Sequence, residues 1–353
     1  MNRSWLTAWC IAILICAAAV TVYEGILRAR HYFPTVQDDA DLWSIQMDIT
    51  KSYPRAVVLL GASRIEYGLD PELLSQELGC RVAMLAVNGQ YPLATLRALA
   101  NDDEFGGLVI VGIDARGFSR ELWDMQQAYV DHYQRRWTLA REIHRLLLSF
   151  VQERVVFANS RFSAIYQIQR LMEGYLLPAN GYYYTMRRDR SGSADYHRSD
   201  AVTIRAIQVA GLTAYYHDNP PPSPEIWRKD LPLVSGWVRR IESRGGHVVF
   251  FREPVGGASL ALDEANYPRG RYWDVAAKEL PATMIDFRDV PEFAQLAEPD
   301  TSHIDAEDVP RFTIAMAQLL KKMHLADQSS ACGSETVPKG AGALPAVEPD
   351  AGH

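Results

Sequence analysis

The sequence is poor in cysteine and has no excess of positive charge. Its 353 residues include four cysteines, and none forms a Cys-x-x-Cys pair, which argues against a structural zinc site or a redox dithiol. The net charge is −7 at pH 7, so the charge balance gives no reason to expect nucleic acid as a partner. Glycine-rich phosphate loops, His-Glu-x-x-His motifs and clusters of His and Cys ligands are also absent. We therefore expect neither a cofactor nor a metal.

The four cysteines do not form an evident disulfide framework. Cys10 and Cys16 lie in an apolar segment, Cys80 lies beside a predicted strand, and Cys332 lies in a polar tail. A disulfide between Cys80 and Cys332 is compatible with an oxidising compartment. A free and buried Cys80 thiol is the state we expect.

Long apolar runs are scarce too, because the chain has only one. Residues 4–23 carry no charged side chain and are long enough to span the hydrocarbon core as a helix. Trp5, Trp9 and Tyr23 lie near its ends, where aromatic side chains favour the membrane interface. A cleaved signal peptide is the alternative, since residues 17–19 are all alanine. Because the run continues to Tyr23, we expect an uncleaved anchor over residues 1–30.

Short apolar runs in the rest of the chain indicate a buried parallel sheet. The first of them has no polar residue and is followed by a glycine turn, as expected for a strand covered on both faces. Similar runs alternate with predicted helices, which favours a doubly wound α/β fold. The predicted strands are residues 56–60, 81–87, 108–113, 247–251 and 284–287.

The other segments are arranged around this sheet domain, which we place at residues 55–325. Residues 31–54 are a connector with one amphipathic helix, and residues 120–230 are a mainly helical insertion that caps the sheet. Within the insertion, residues 187–193 are rich in arginine and are either an anion-binding loop or a solvated surface loop. Residues 326–353 have few large apolar residues, so we expect this tail to be disordered.

Ser63 is placed just after the first predicted strand. Gly61 lets the backbone turn sharply, and a helix predicted at residues 71–78 begins after the Asp70 N-cap. Open α/β sheets bind their ligands at the carboxyl ends of the strands. A serine hydroxyl at that edge is a candidate nucleophile, although a serine can also cap such a turn.

A serine nucleophile needs a base, and His303 is the best candidate. It follows the last predicted strand and precedes the last helix, so we expect it at the same edge as Ser63. Asp300 can accept the second imidazole N–H, which fixes the tautomer and stabilises the imidazolium. The backbone N–H groups of Ser63 and Gly89 are candidate donors to an oxyanion. Each residue alone also has a purely structural interpretation, but their common position at strand ends favours acyl transfer.

Three short motifs stand at the ends of predicted strands, namely Gly61-Ala62-Ser63, Asn88-Gly89 and Asp300-x-x-His303. Together they resemble the motifs of the SGNH/GDSL hydrolase superfamily, over about residues 55–118 and 245–325. More narrowly, the chain resembles membrane-anchored extracytoplasmic members, such as the alginate O-acetylation proteins and the protein that acts in D-alanylation of teichoic acid. The resemblance implies a flavodoxin-like three-layer fold, with Ser63 as nucleophile, His303 as base, Asp300 as its partner and Gly89 as an oxyanion donor.

The sequence departs from the pattern of this family in two places. The aspartate of Gly-Asp-Ser is Ala62, and the Gly-x-Asn-Asp block is not recognisable, since Asp114 follows the third strand. The asparagine that donates to the oxyanion is therefore missing, and losing one such donor lowers the rate about a hundredfold or more. Asn88 and Arg116 are the candidates to replace it. We expect Asp114 to point away or to pair with Arg64 or Arg116, which are also candidate substrate-binding residues.

The resemblance implies a serine acyltransferase or acyl-esterase acting on an exported polysaccharide or a cell-envelope glycan, with acetyl as the expected acyl group. It further implies a single-pass protein of the inner membrane with its domain in the periplasm, and a membrane-bound O-acyltransferase as partner. Tyrosines at residues 182–184 and 215–216 are candidate sugar-stacking surfaces or, alternatively, packing residues. The other function we consider is a catalytically silent anchored scaffold that binds glycan or an acyltransferase, which the missing asparagine favours.

Overall fold

The computed structural model describes residues 3–174 and 183–325. Its first helix, α1 (Arg3–Ala29), is exposed along most of its length, and the segment Trp5–Ala29 has a mean hydropathy of 2.2. A helix of this length and composition can cross a membrane, which agrees with the predicted anchor. No other helix within the described ranges is both long and apolar enough to do so.

One parallel sheet of five strands forms the centre of the domain. The described part of the chain has seven strands, of which five belong to this sheet. In chain order they are β1 (Val57–Leu60), β2 (Val82–Met84), β3 (Leu108–Gly112), β4 (Tyr184–Met186), β5 (Gly192–Ala194), β6 (His247–Arg252) and β7 (Thr283–Asp286). The sheet has the order β2-β1-β3-β6-β7, and β4 and β5 form a separate antiparallel hairpin. Counted within the sheet alone, this is the flavodoxin-like order 2-1-3-4-5. The predicted α/β fold is confirmed, although β2 is shorter than predicted.

Helices cover both faces of the sheet. Those before the insertion are α2 (Ala40–Ser52), α3 (Ser63–Gly68), α4 (Pro71–Leu78) and α5 (Leu93–Ala100). The insertion contributes α6 (Gln127–Arg136), α7 (Leu139–Gln152), α8 (Ala164–Met172), α9 (Ala201–Asp218) and α10 (Pro224–Trp227). The last group is α11 (Leu231–Glu242), α12 (Gly257–Asn266), α13 (Trp273–Glu279), α14 (Pro291–Ala294) and α15 (Val309–Lys322).

Alternate residues of β1 point into two separate apolar layers. Val58 and Leu60 pack into a core with residues of α2, α5 and α11. Val57 and Leu59 pack into a second core with residues of α4 and α15. All four side chains are fully buried, as the unbroken apolar run predicts for a central strand of a three-layer fold.

The predicted boundaries of α4 are confirmed, because local interactions set both ends. Asp70 Oδ1 accepts the backbone N–H groups of Glu72 and Leu73, which caps the start. Gly79 ends the helix with φ 70°, a left-handed conformation that favours glycine.

The insertion is mainly helical, as predicted. The solvated-loop interpretation of its arginine-rich loop holds for Arg187 and Arg188, which are exposed, but not for Arg190. These residues form the tip of the β4–β5 hairpin, which the sequence did not reveal. Arg190 is fully buried, where it pairs with Asp38 at 2.7 Å and with Glu66 at 3.4 Å. Arg187 pairs with Asp70 at 2.9 Å. These ion pairs hold the hairpin onto the sheet domain, although 47% of the Arg187 side chain remains exposed.

The expectation of a free Cys80 is wrong, since this residue is disulfide-bonded. Cys10 and Cys16 in α1 are free and exposed. Cys332 and the predicted disordered tail lie outside the described residues. The bonded state of Cys80 fits an oxidising compartment.

Candidate active site

The turn after β1 delivers Ser63 to the carboxyl edge of the sheet. Gly61 has φ 155°, and a Cβ at this position would lie 2.5 Å from Cγ1 of Ile65. Only glycine fits such a close approach, so the chain can leave the strand and begin α3 within two residues. Ser63 is the first residue of α3, a short helix that was not predicted.

Ser63, His303 and Asp300 form one continuous chain of hydrogen bonds. The distance from Ser63 Oγ to His303 Nε2 is 2.8 Å. His303 Nδ1 lies 2.8 Å from Asp300 Oδ2. Residues 240 positions apart in sequence are therefore within hydrogen-bond reach, in the order of a serine nucleophile, its base and the group that orients the base.

The carboxylate of Asp300 is buried and held by three kinds of donor. Its Oδ1 accepts the backbone N–H groups of Ser302 at 2.8 Å and His303 at 2.7 Å, and only 2% of the residue is exposed. Burial alone raises the pKa of Asp300, but hydrogen bonds from His303 and Tyr196 outweigh burial and hold it well below the usual range. Asp300 is therefore ionised at neutral pH and can stabilise an imidazolium.

The loop that presents the Asp–His pair is tightly folded. Thr301 between them has φ 71°, an unusual conformation for a β-branched residue. Its buried hydroxyl lies 2.7 Å from Ser259 Oγ of α12, which fixes this turn against the domain. Backbone strain at this position is consistent with a functional loop whose geometry the rest of the fold imposes.

Tyr67 and Tyr196, which the sequence did not single out, support the His303–Asp300 pair. The ring of Tyr67 packs edge-on against the imidazole, with ring centroids 5.9 Å apart. Asn88 Nδ2 donates to the Tyr67 hydroxyl at 2.8 Å, and burial raises the pKa of Tyr67 so that it stays neutral. Tyr196, in the insertion, hydrogen-bonds Asp300 as described above. Their roles depend on contacts across the fold, so no local pattern marks them.

The backbone N–H groups of Ser63 and Gly89 are available for an oxyanion. Within the described ranges, neither has a hydrogen-bond acceptor. Gly89 has φ 71° and lies in an exposed turn just after the β2 segment. Buried Gln126 links this turn to the serine turn, because its Nε2 donates to Gly61 O at 3.0 Å and to Gln90 O at 3.2 Å. No local sequence pattern marks Gln126 for this role.

Asp114, which follows the third strand, is engaged with its neighbours. It accepts hydrogen bonds from Tyr91 at 3.0 Å and from the backbone N–H of Gly117, and it pairs with Arg116 at 3.4 Å. The expected pairing with Arg116 is confirmed. Burial raises the pKa of Asp114, but Arg116 and Arg64 outweigh it and keep the carboxyl ionised. Arg116 is directed to Tyr91 and Asp114, so its role as a substrate ligand stays a prediction.

Arg64 lies between the loop that carries Asp300 and His303 and the buried carboxyl group of Glu253. Its Nε is 3.2 Å from both the backbone oxygen and Oγ of Ser302, so it braces the turn that carries the Asp–His pair. Burial raises the pKa of Glu253 to about 7, and the positive charge of Arg64 opposes that shift only in part. A role for Arg64 in binding substrate stays a prediction.

The tyrosines proposed for sugar stacking have mostly structural neighbours. Tyr182 lies outside the described residues, and Tyr183 packs on Tyr196 with ring centroids 5.4 Å apart. Tyr216 is only 6% exposed and donates a hydrogen bond to Asp263 at 2.7 Å. These contacts favour the packing interpretation for Tyr183 and Tyr216.

One group of side chains in the described part of the chain has metal-type donor atoms close together. His197, Asp305 and Glu307 offer atoms within 4.8 Å of one another, and the histidine and the glutamate are exposed. Asp305 already accepts the backbone N–H groups of Tyr196 and Glu307. The group shares no residue with the Ser63 site, so it has no evident part in its chemistry.

A scan against models of known protein families finds no match for this chain, and a search of the curated proteins finds none either.

Proposed function

We propose that the protein is a serine-dependent acyltransferase or acyl-esterase with Ser63 as its nucleophile. The hydrogen-bond chain from Ser63 through His303 to Asp300 carries this proposal. Each group has the partner that its role requires: a hydroxyl beside a base, and a base beside a buried, ionised carboxylate. The short sequence motifs that resemble the SGNH/GDSL superfamily, together with the flavodoxin-like strand order, support the same assignment.

The reaction follows from the positions of the donors and acceptors. His303 Nε2 takes the proton of Ser63 Oγ as that oxygen attacks the carbonyl carbon of an acyl ester. The backbone N–H groups of Ser63 and Gly89 receive the oxyanion of the tetrahedral intermediate. The imidazolium then protonates the leaving oxygen, and its bond to the acyl carbon breaks. A second hydroxyl, from sugar or water, gives its proton to His303 and attacks the acyl-enzyme, which releases Ser63.

The acceptor that we propose is an exported or cell-envelope glycan, and the acyl group is acetyl. An uncleaved α1 would anchor the domain in the inner membrane on the periplasmic side. The disulfide at Cys80 supports an oxidising compartment. The last turns of α1 pack on the domain, since Leu27 is only 1% exposed, which supports a fixed anchor. A membrane-bound O-acyltransferase that supplies the acyl group is the partner that this location suggests.

A catalytically silent scaffold is the second candidate function. The observation that favours it is Asp114, an acidic side chain where relatives of this type have an oxyanion-donating asparagine. Such a protein would keep the fold and bind glycan or an acyltransferase without turnover.

The test measures acetyl transfer by the full-length protein in detergent. A chromogenic acetyl ester serves as donor, and neutral and acidic oligosaccharides serve as acceptors, with products identified by mass spectrometry. We expect ester hydrolysis and an acetylated oligosaccharide, both lost in Ser63→Ala. Ser243→Ala is the matched control, because the exposed Ser243 hydroxyl donates to the backbone oxygen of Arg240 and lies outside the site. Hydrolysis and transfer that are absent from the wild type, or unchanged in Ser63→Ala, would favour the scaffold.

A further inference from the structure

Two helices of the insertion, α7 and α8, expose apolar faces. On α7, Ile143, Leu147 and Phe150 follow one helical stripe and are 50%, 66% and 48% exposed. On α8, Ile165, Ile168 and Met172 do the same, with exposures of 72%, 58% and 84%. We refer to these six side chains as the apolar face.

The polarity of α7 is inverted relative to that of an ordinary surface helix. Its buried residues are polar: Arg145, Ser149 and Gln152 are each 1% exposed or less. Arg145 and Gln152 bond to the connector, where Gln152 Oε1 accepts the backbone N–H of Gln37. A helix that turns its polar side inward and its large aliphatic side chains outward is not adapted to water on its outer side.

The helices that carry the apolar face are joined by a segment that packs on the C-terminal end of α1. Between α7 and α8 lie two short turns, Val156–Ala158 and Ser160–Phe162, and the end of α1 packs on them. The Glu24 carboxylate accepts the backbone N–H groups of Val156 at 3.0 Å and Phe157 at 3.1 Å. Tyr23 donates to the backbone oxygen of Phe162 at 2.7 Å. These bonds fix the two turns to α1. The end of α7 and the start of α8 therefore lie beside a candidate membrane span.

The charge of this segment also differs from that of the chain. Residues 139–174 contain five arginines and three glutamates, and with Arg145 buried the other four arginines still outnumber the glutamates, whereas the whole chain has a net charge of −7. Arg154 lies over the Phe150 ring at 3.6 Å, and Arg28 of α1 donates to the backbone oxygen of Arg154 at 2.8 Å. Arginines around aliphatic and aromatic side chains are typical of helices that lie in the interface of an anionic bilayer.

We propose that α7 and α8 are interfacial membrane helices, with the apolar face inserted among the lipids beside α1. The occupant of this face is the bilayer itself. The continuity with a candidate span, the inverted polarity of α7 and the local positive charge all point to lipid. The domain would then rest on the membrane at two places, which holds the Ser63 edge at a fixed height above the surface. This inference does not depend on whether Ser63 is catalytic.

The test places an environment-sensitive fluorophore at Leu147→Cys and, separately, at Ile168→Cys. The full chain carries Cys10→Ser and Cys16→Ser, so that the introduced thiol is the reactive one, and is reconstituted in nanodiscs of phosphatidylethanolamine and phosphatidylglycerol. Lipids brominated in their acyl chains quench a fluorophore that enters the bilayer. Leu233→Cys on α11 is the matched control, because Leu233 is similarly apolar and 51% exposed, and its helix packs on α5 and β6.

We expect brominated lipid to lower the fluorescence roughly twofold or more at positions 147 and 168, and to leave position 233 unchanged. Equal quenching at all three positions, or none at 147 and 168, overturns the proposal. A label that is shielded only at high protein concentration indicates a second copy on this face, which also overturns it. A label can stay unquenched by brominated lipid in nanodiscs and yet be shielded from aqueous quenchers in native membranes. That result indicates that a partner protein covers the face instead of lipid, and it overturns the proposal.

A second pair of variants separates this role from folding. Leu147→Asp and Ile168→Asp change exposed side chains, so we expect thermal unfolding of the detergent-solubilised protein to stay within the error of the wild type. In flotation assays with α1 still present, both variants should remain membrane-bound. Protease protection of α7 and α8 by lipid should nevertheless be lost. Protection that persists in both variants contradicts the proposal.

Discussion

The substitution Asp300→Asn tests the electrostatic part of the site with a minimal change of shape. Oδ1 of Asp300 accepts two backbone N–H groups, so the oxygen of an asparagine amide must take that position. The NH₂ group then faces His303 Nδ1, which Oδ2 now contacts at 2.8 Å. A donor at this point forces the imidazole proton onto Nε2, and Nε2 can no longer accept the proton of Ser63.

The expected loss is large and can be estimated in two ways. A carboxylate about 4 Å from an imidazolium stabilises it by about 4 kcal/mol at an effective dielectric constant of about 20, equivalent to about a thousandfold in rate. The corresponding change in serine proteases lowers the rate by about 10⁴, since the tautomer is also wrong. We therefore predict a loss of 10³- to 10⁴-fold in the acylation rate of Asp300→Asn.

The assay is pre-steady-state acylation by a chromogenic acetyl ester, with thermal unfolding measured alongside. Asp308→Asn is the control, because Asp308 pairs with Arg311 at 2.9 Å on the protein surface and takes no part in the site. The control should retain the wild-type rate to within about twofold. An Asp300→Asn rate within about tenfold of wild type, in a protein that still melts cooperatively, refutes the triad as described.

Three further predictions concern the packing of Tyr67 beside the site, the protonation of the buried Glu253 carboxyl group and the disulfide at Cys80. In Gly192→Ala, the new Cβ would lie 1.8 Å from the Tyr67 ring, so we expect at least a tenfold lower rate as His303 shifts, measured as kcat with a melting control. Burial raises the pKa of Glu253 from 4.5 to about 7, so native stability falls as pH rises through that window. In calorimetry, the melting temperature of Glu253→Gln should therefore rise progressively above that of the wild type between about pH 5 and 8. The gain in the free energy of unfolding should be at most about 3 kcal/mol. A stability advantage of Glu253→Gln that shrinks as the pH rises would contradict this prediction. In unreduced, denatured protein, maleimide should label the two cysteines of α1 but not Cys80, and labelling of Cys80 would refute the disulfide.

The sheet was predictable from sequence because its strands are short, unbroken apolar runs. Val57, Val58, Leu59 and Leu60 are all fully buried, and this double burial is what an uninterrupted run encodes. The β4–β5 hairpin was not predictable, since its strands have only three residues each and those of β4 are only partly buried. Arg190 lies in a stretch whose composition is that of a solvated loop. It is nevertheless buried, because it pairs with Asp38, which is 152 residues away in the sequence. Long-range ion pairs of this kind leave no local pattern.

The residues of the candidate site also fall into two groups, those that could be predicted from sequence and those that could not. Ser63, Asp300 and His303 were found from sequence because strand ends of a parallel sheet converge on one edge, and their hydrogen bonds are observed there. Gln126 and Tyr196 were missed, because both come from the insertion and act through contacts that only the folded chain creates.

Covalent labelling by a fluorophosphonate tests whether Ser63 is a nucleophile, because the reagent reacts preferentially with a serine that a neighbouring base activates. We expect wild-type protein to form one adduct, which peptide mass spectrometry maps to Ser63. Labelling should be abolished in Ser63→Ala and weakened in His303→Ala. A wild-type protein that is folded but unlabelled, or labelling that survives in Ser63→Ala, would contradict the claim that Ser63 is a nucleophile.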